Sequence, residues 1–140
     1  MTPPSALSLP APFPVPRWLA VKAWVALASV DLILKIGGFP KLYRKLRSFP
    51  VAKRRLTGEA VTRGICSAID LAGTWYFKHA LCLQRSAVAT FLLRRAGVPA
   101  ELVIAVRKMP FQGHAWVEVA GVVVNDTPSV QENYSVLDRL

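Results

Sequence analysis

The hydrophobic pattern of this 140-residue chain changes character once, from helical spacing up to about residue 95 to strand-like runs beyond it. Met1–Val15 has no periodicity and carries Pro3, Pro4, Pro10, Pro12 and Pro14, which predicts a flexible or extended tail. Pro16 suits a helix start, and the spacing predicts a helix from Arg17 to Ile36, closed by Gly37-Gly38. A short basic helix, Lys41 to Ser48, follows Pro40 and stops at Pro50. Thr57 is a candidate N-cap for a third helix reaching about Ala72, and Trp75–Leu81 connects onward. Cys82–Arg95 has apolar residues at 83, 87, 88, 91 and 92, an amphipathic spacing that Gly97 and Pro99 terminate. Glu101–Arg107 then reads as a buried strand by its β-branched content, and Met109–Gly113 as a loop. His114–Val119 and Val122–Asn125 form a hairpin around Ala120-Gly121, and the remainder through Tyr134 is expected to lie loosely over the sheet.

Helices followed by a small antiparallel sheet make the class α+β. The chain divides into a tail (1–15), a helical basic region (16–56) and a compact domain (57–140). Apolar residues make up 53% of the sequence, enough for a packed core. The first long helix has the length of a membrane span, and Trp18 and Trp24 would suit an interface. Lys22, Asp31 and Lys35 interrupt it, however, and charges near a bilayer centre cost several kcal/mol each. The better reading is a helix packed on the domain or on a partner.

The net charge of +10 is unevenly spread. Lys41, Arg44, Lys45, Arg47, Lys53, Arg54, Arg55 and Arg63 cluster in one stretch against the single acid Glu59. Such a patch attracts nucleic acid, anionic lipid or an acidic protein surface, or is simply a solvated helical face. No zinc-finger spacing, RNA-binding aromatic signature or helix-turn-helix pattern accompanies it, so nucleic acid is set aside as a partner. Cys66 and Cys82 make no disulfide framework, and no metal-ligand spacing is present, so no cofactor is expected. With no charged start before an apolar run, the N-terminus does not read as a signal peptide, and reduced, cytoplasmic chemistry is the economical expectation.

Candidate chemistry concentrates between Cys82 and Asp126. A cysteine opens a helix, a histidine opens a strand 32 positions later, and an aspartate follows the next strand after 12 more. These are the residue types of an activated thiol: nucleophile, general base, and a group that orients the base. A free thiol titrates near about 8.5, and a place in the first helical turn lets unpaired N–H groups and the helix dipole favour the thiolate. The same N–H groups can stabilise an oxyanion beside the sulfur. By itself Cys82 would read as a small buried hydrophobe, the usual fate of cysteine, but its position at a helix start argues otherwise. Cys66 lies mid-helix in an apolar run and reads as structural. His79, three residues before Cys82, competes with His114 as the base, and the strand position favours His114.

Asp126 competes with Asn125 as the orienting group, and strand register bears on the choice. A two-residue loop sets Val119 opposite Val122 and His114 opposite Thr127. A three-residue loop with a bulge at Gly121 sets Glu118 opposite Val122 and His114 opposite Asp126. Three consecutive valines, 122 to 124, suit either register. The chemistry favours the second, with Gly121 at positive φ.

The motifs Cys82-Leu-x-Arg85-Ser86, Leu92-Leu-Arg-Arg-Ala-Gly-Val-Pro-Ala100, Leu102-Val-Ile-Ala-Val-Arg107, His114-Ala-Trp-Val-Glu118 and Asn125-Asp126 together resemble the lasso-peptide leader peptidases. These are transglutaminase-like, papain-like cysteine proteases that cut the leader from a ribosomally made precursor. The resemblance covers about residues 58–140. It implies Cys82 as nucleophile, His114 as base and Asp126 as the orienting group. The N-terminal region resembles that of the stand-alone form, which implies a separate leader-recognition protein, with an ATP-dependent lasso cyclase as a further pathway partner. A membrane surface is the rival occupant of the basic region. Ala105 departs from the glycine frequent in the family and is expected to be tolerated. Two other functions stay open: a transglutaminase-fold acyltransferase or amidase with the same triad, and a non-catalytic peptide-binding module.

Overall fold

The computed structural model describes residues 15–53, 59–76 and 82–140. Residues 1–14 of the Pro-rich tail, Thr57, His79, Arg54 and Arg55 lie outside them, while Val15 packs against the core. Helix α1 runs from Arg17 to Ser48 and is broken by a kink at Gly38, whose φ of 65° is a left-handed value that glycine adopts without penalty. The two helices expected on either side of Gly37-Gly38 are therefore both present. Helix α2 spans Glu59–Thr74 and α3 spans Cys82–Arg95. Buried Ala23, Leu27 and Val30 of α1, and Ile65, Ala68, Ile69 and Ala72 of α2, follow i, i+3, i+4 spacing, so these helices pack their stripes on each other and on α3, which in turn covers the sheet.

Strands β1 (Ala100–Lys108), β2 (Phe111–Val119), β3 (Val122–Val123) and β4 (Ser135–Arg139) form one antiparallel sheet in the order β3-β2-β1-β4. A four-residue helix, α4 (Val130–Asn133), precedes β4. Because side chains alternate across a strand, Leu102, Ala115 and Val117 join the core under the helices. Val103, Ala105 and Trp116 point the other way, into a smaller cluster with Val130, Val123 and Tyr134.

Two expectations are corrected here. Phe111–Gly113 is not loop: it pairs with Lys108–Val106, leaving a tight turn at Met109-Pro110. That end of the hairpin projects into solvent, with Phe111 79% exposed, so no burial imposed an alternation to read. The segment after residue 126 is not a loose tail either, since it forms α4 and β4. All five β4 residues are exposed, and the strand is held by main-chain pairing to β1 instead of by a buried face. Among the described residues no helix is long and apolar enough to cross a membrane. Asp31 of α1 accepts a hydrogen bond from Gln84 of α3 at 3.2 Å, a packing role for a charge inside the long helix.

Three polar residues of α3 are buried, against a simple amphipathic reading of this helix. Ser86, Thr90 and Arg94 are enclosed because α1, α2 and the sheet surround α3. Arg94 distributes its guanidinium over main-chain carbonyls of separate segments. Nε donates to Ala100 O at 2.9 Å, Nη1 to Leu46 O at 2.5 Å and Phe49 O at 3.2 Å, and Nη2 to Leu140 O at 2.8 Å. One side chain thus holds the end of α1, the start of β1 and Leu140 just after β4. Burial lowers its pKa, and the nearby Glu101 charge works in the opposite direction.

Glu118 is the acidic counterpart, 1% exposed on β2. It accepts bonds from Trp116 Nε1 (2.9 Å), Gln131 Nε2 (2.9 Å) and Arg139 Nη1 (2.6 Å), which join β2 to α4 and β4. Burial alone would raise its pKa. The bonds from Gln131, Trp116 and Arg139, with the Arg139 charge, outweigh burial and hold the carboxyl below the usual glutamate value.

Two predictions follow from these side chains. Arg94→Lys keeps the charge but loses the fork, and a charged donor's bond is worth roughly 1.5–3 kcal/mol, so the melting temperature should fall by roughly 10 °C in calorimetry. A depressed carboxyl contributes stability above its unfolded pKa of about 4.3 and loses it as pH falls through the folded value. Urea midpoints measured from about pH 7 down to about pH 3 should therefore drop more steeply for the native protein than for Glu118→Gln, which should be weaker at neutral pH.

Candidate active site

Cys82 is the first residue of α3 and is half-buried. Cys66 sits within α2, where burial, with the Asp70 charge as a second cause, pushes its thiol up to about 12. A thiol held that high is almost entirely protonated at neutral pH, consistent with the structural reading of Cys66.

His114 lies on β2, and its Nε2 is 2.6 Å from Asp126 Oδ2. The other Asp126 oxygen, Oδ1, accepts the main-chain N–H of Thr127 at 2.7 Å, so the carboxylate is anchored on both sides. Of the two residues weighed beside the imidazole, Asp126 reaches it. The route differs from the bulged register, which is not the one adopted. Val119 pairs with Val122 and Glu118 with Val123, the two-residue loop, with Ala120 at φ 51° and Gly121 at φ 78°. Positive φ at both positions is the signature of a tight hairpin turn whose twist matches the strands.

That register would carry Thr127 opposite His114 if β3 continued, but β3 stops at Val123 and residues 124–126 bend away. Val124 N still donates to Val117 O at 3.0 Å. The Val117 N–H, however, goes to the Asn125 side-chain oxygen at 2.7 Å instead of a strand carbonyl. The bend shifts Asp126 into reach of His114 without a bulge in the ladder.

The imidazole is packed against aromatic rings. Tyr134 lies 5.1 Å from it at 34° and Trp116 6.0 Å at 41°. Arg107 sits 5.6 Å over the Tyr134 ring, and both Tyr134 Oη (3.3 Å) and Arg107 Nη2 (2.7 Å) donate to Gln112 Oε1. Sequence reasoning did not single out Tyr134, Gln112 or this role for Arg107. Tyr134 arrives from the α4–β4 junction, twenty residues from His114, and no local spacing marks it. Ala105 pairs with His114 across β1 and β2, its methyl fully buried with Val103 and Trp116.

Helix α3, which Cys82 opens, meets the edge of β2 next to His114. One helical turn along α3 from Cys82, Ser86 Oγ donates to the carbonyl of Ala115, the neighbour of His114, at 3.1 Å. A turn of helix rises about 5.4 Å, which sets the scale of the Cys82 offset from that contact. A cleft of about 400 Å³ between α1, α2 and α3 lies at the opposite end of α3, lined by Trp18, Val61, Ile65 and Leu92 with Lys22 and Arg95, and is separate from this site. Among the described residues no cluster of three or more histidine, cysteine or acidic side chains could hold a metal ion.

A family model described as the Transglutaminase-like superfamily matches residues 23–139. The chain is also similar to the microcin J25-processing protein McjB of Escherichia coli, with 43% identity over 59 residues. That alignment covers 42% of this chain and 28% of the relative, so the matched stretch is under a third of the relative's length. No solved structure matches.

Proposed function

Since the chain belongs to the transglutaminase-like superfamily, we propose that it is a cysteine peptidase that cuts the leader from a ribosomally made lasso-peptide precursor, as its motifs and its similarity to a microcin-processing protein suggest. The observation that carries this reading is the 2.6 Å His114–Asp126 pair beside the edge of β2, which α3, the helix that Cys82 opens, meets at Ala115.

In the proposed reaction the Cys82 sulfur attacks the scissile carbonyl, and its proton passes to His114. Asp126 engages Nε2, so the ring nitrogen left for the thiol is Nδ1. Asp126 holds that orientation and stabilises the imidazolium. N–H groups in the first turn of α3 face the oxyanion. As the C–N bond breaks, His114 returns the proton to the leaving amine. Water then attacks the thioester, giving up a proton to His114 and releasing a carboxylate, and the thiolate regains its proton.

This domain carries little surface for reading a long leader. Selectivity then comes from a separate recognition protein that raises the effective concentration of the scissile bond, with the ATP-dependent cyclase taking the product. A cytoplasmic location goes with this reading. The outer face of α1 is the proposed docking surface: Trp18, Val21, Val25, Leu32 and Ile36 are exposed along it, and Arg44, Lys45 and Arg47 follow beyond the kink. Trp24, in contrast, is turned edge-on to Tyr76 at 5.7 Å and contributes less of its surface.

Incubation with precursor peptide tests the reaction by its products. Hydrolysis yields free leader and core, acyl transfer yields a conjugate, and a binding module yields neither. Cys82→Ala should abolish cleavage, a loss above about 10³-fold, while Cys66→Ala retains most of it. Cleavage by Cys82→Ala would sink the assignment. Charge reversal at Arg44, Lys45, Arg54 and Arg55 should slow cleavage of the presented precursor several-fold, and raised salt should do the same. Unchanged rates and complex formation would remove the basic region as a docking site, and loss of vesicle binding in that variant would assign it to a membrane surface.

A further inference from the structure

A chain of hydrogen bonds links the neighbours of all three candidate catalytic residues. The Val117 main-chain N–H donates to Asn125 Oδ1 at 2.7 Å, Asn125 Nδ2 donates to Ser86 Oγ at 3.0 Å, and Ser86 Oγ donates to Ala115 O at 3.1 Å. Ser86 is one helical turn from Cys82, Ala115 follows His114, and Asn125 precedes Asp126. Resting on the peptidase reading, we propose that Ser86 and Asn125 are positioning residues, whose hydrogen-bonded chain fixes Cys82 of α3 against the His114–Asp126 pair.

Packing alone does not account for these residues. Ser86 is 1% exposed beside Ala87, Val88 and Ala89, where an alanine would fill the same space without a polar group to satisfy. Its hydroxyl both donates, to β2, and accepts, from Asn125. The Ser86 carbonyl in turn accepts from Thr90 Oγ1 at 2.8 Å. Asn125 stands where β3 would supply a carbonyl to Val117. It ends the strand, seats α3, and lets the chain bend so that the next residue meets His114. Aspartate at 125 could accept from Val117 but, when ionised, could not donate to Ser86. Only a side chain with both an acceptor and a donor completes the chain in both directions.

A helix and a sheet edge held only by apolar contact can slide by fractions of an ångström, and a misplacement of about 1 Å costs about 100-fold in rate. The proposed role is to suppress that slide. It predicts that loss of the chain lowers turnover more than substrate affinity.

The test uses a Cys66→Ala background, so that alkylation reports Cys82 alone. Iodoacetamide labelling of Cys82 and precursor-cleavage kinetics are measured for Ser86→Ala, Asn125→Ala, the double variant and His114→Ala. Ser86→Ala, Asn125→Ala and the double variant, the staple variants, should slow labelling toward the His114→Ala rate. They should lower kcat about 10- to 100-fold with KM within about threefold, and the double variant should be no worse than the poorer single, since both break one chain. Ser86→Thr, which restores the hydroxyl, should recover most of the rate. If His114→Ala slows labelling while the staple variants label and turn over like the background protein, the positioning role is wrong and the triad stands. If His114→Ala labels at the background rate, the peptidase triad itself fails. Should Asn125→Ala not fold, Ser86→Ala, which removes one oxygen and leaves the Asn125 bond to the Val117 N–H in place, decides alone.

Discussion

Helix α3 is enclosed by α1, α2 and the sheet, and the rest of the structure depends on how its polar side chains are satisfied inside that enclosure. Ser86, Thr90 and Arg94 recur at intervals of four after Cys82, so they stack along one side of the helix. An unpaired buried polar group costs roughly 1–3 kcal/mol, more when charged, so each must find its partner in the native arrangement or oppose folding. Arg94 meets this by collecting carbonyls from the ends of α1, β1 and the segment after β4. Ser86 meets it at the edge of β2. Apolar packing would tolerate small displacements of α3, whereas directional bonds at both ends of the helix do not.

The same logic explains the shape of the site end of the sheet. A strand two residues long, β3, contributes little burial, and its brevity leaves the edge of β2 beside Ala115 free for Ser86. The edge group that would be left open at Val117 is taken by the Asn125 side chain. Behind the edge, Glu118 draws Trp116, Gln131 and Arg139 together, so the face opposite the helices is braced by charge-assisted bonds where its apolar cluster is small. His114 is thus held by a rigid strand, a two-point carboxylate and the flanking rings of Tyr134 and Trp116.

A division of labour follows from this economy. The domain invests its buried polar groups in holding a few side chains in place, and the outer face of α1, with its line of exposed apolar residues and the cations beyond Gly38, is the surface proposed for docking. The apolar cleft near Trp18 lies at the far end of α3 from Cys82.

How much of this was readable in the chain follows from the range of each interaction. Helix spacing, the Gly37-Gly38 break, the β-branched run of β1 and the Ala120-Gly121 turn are local properties of backbone and side chain, and the sequence by itself determined them. The motif set that marks the transglutaminase-like class was likewise legible, and it singled out Cys82, His114 and Asp126 as candidates, of which the structure pairs His114 with Asp126. The register of the hairpin was not legible, because Val122, Val123 and Val124 suit either face and the decision falls to the bend after β3. Nor were β4 and the exposed end of β2, whose residues are held by pairing along a strand edge and so carry no burial pattern. Tyr134 beside His114, Arg94 among its carbonyls and Ser86 against Asn125 were decided only by the tertiary structure. Each is a polar or aromatic contact between segments distant in sequence, and its physical reason, the need to satisfy a buried group, exists only once the enclosure around that group has formed.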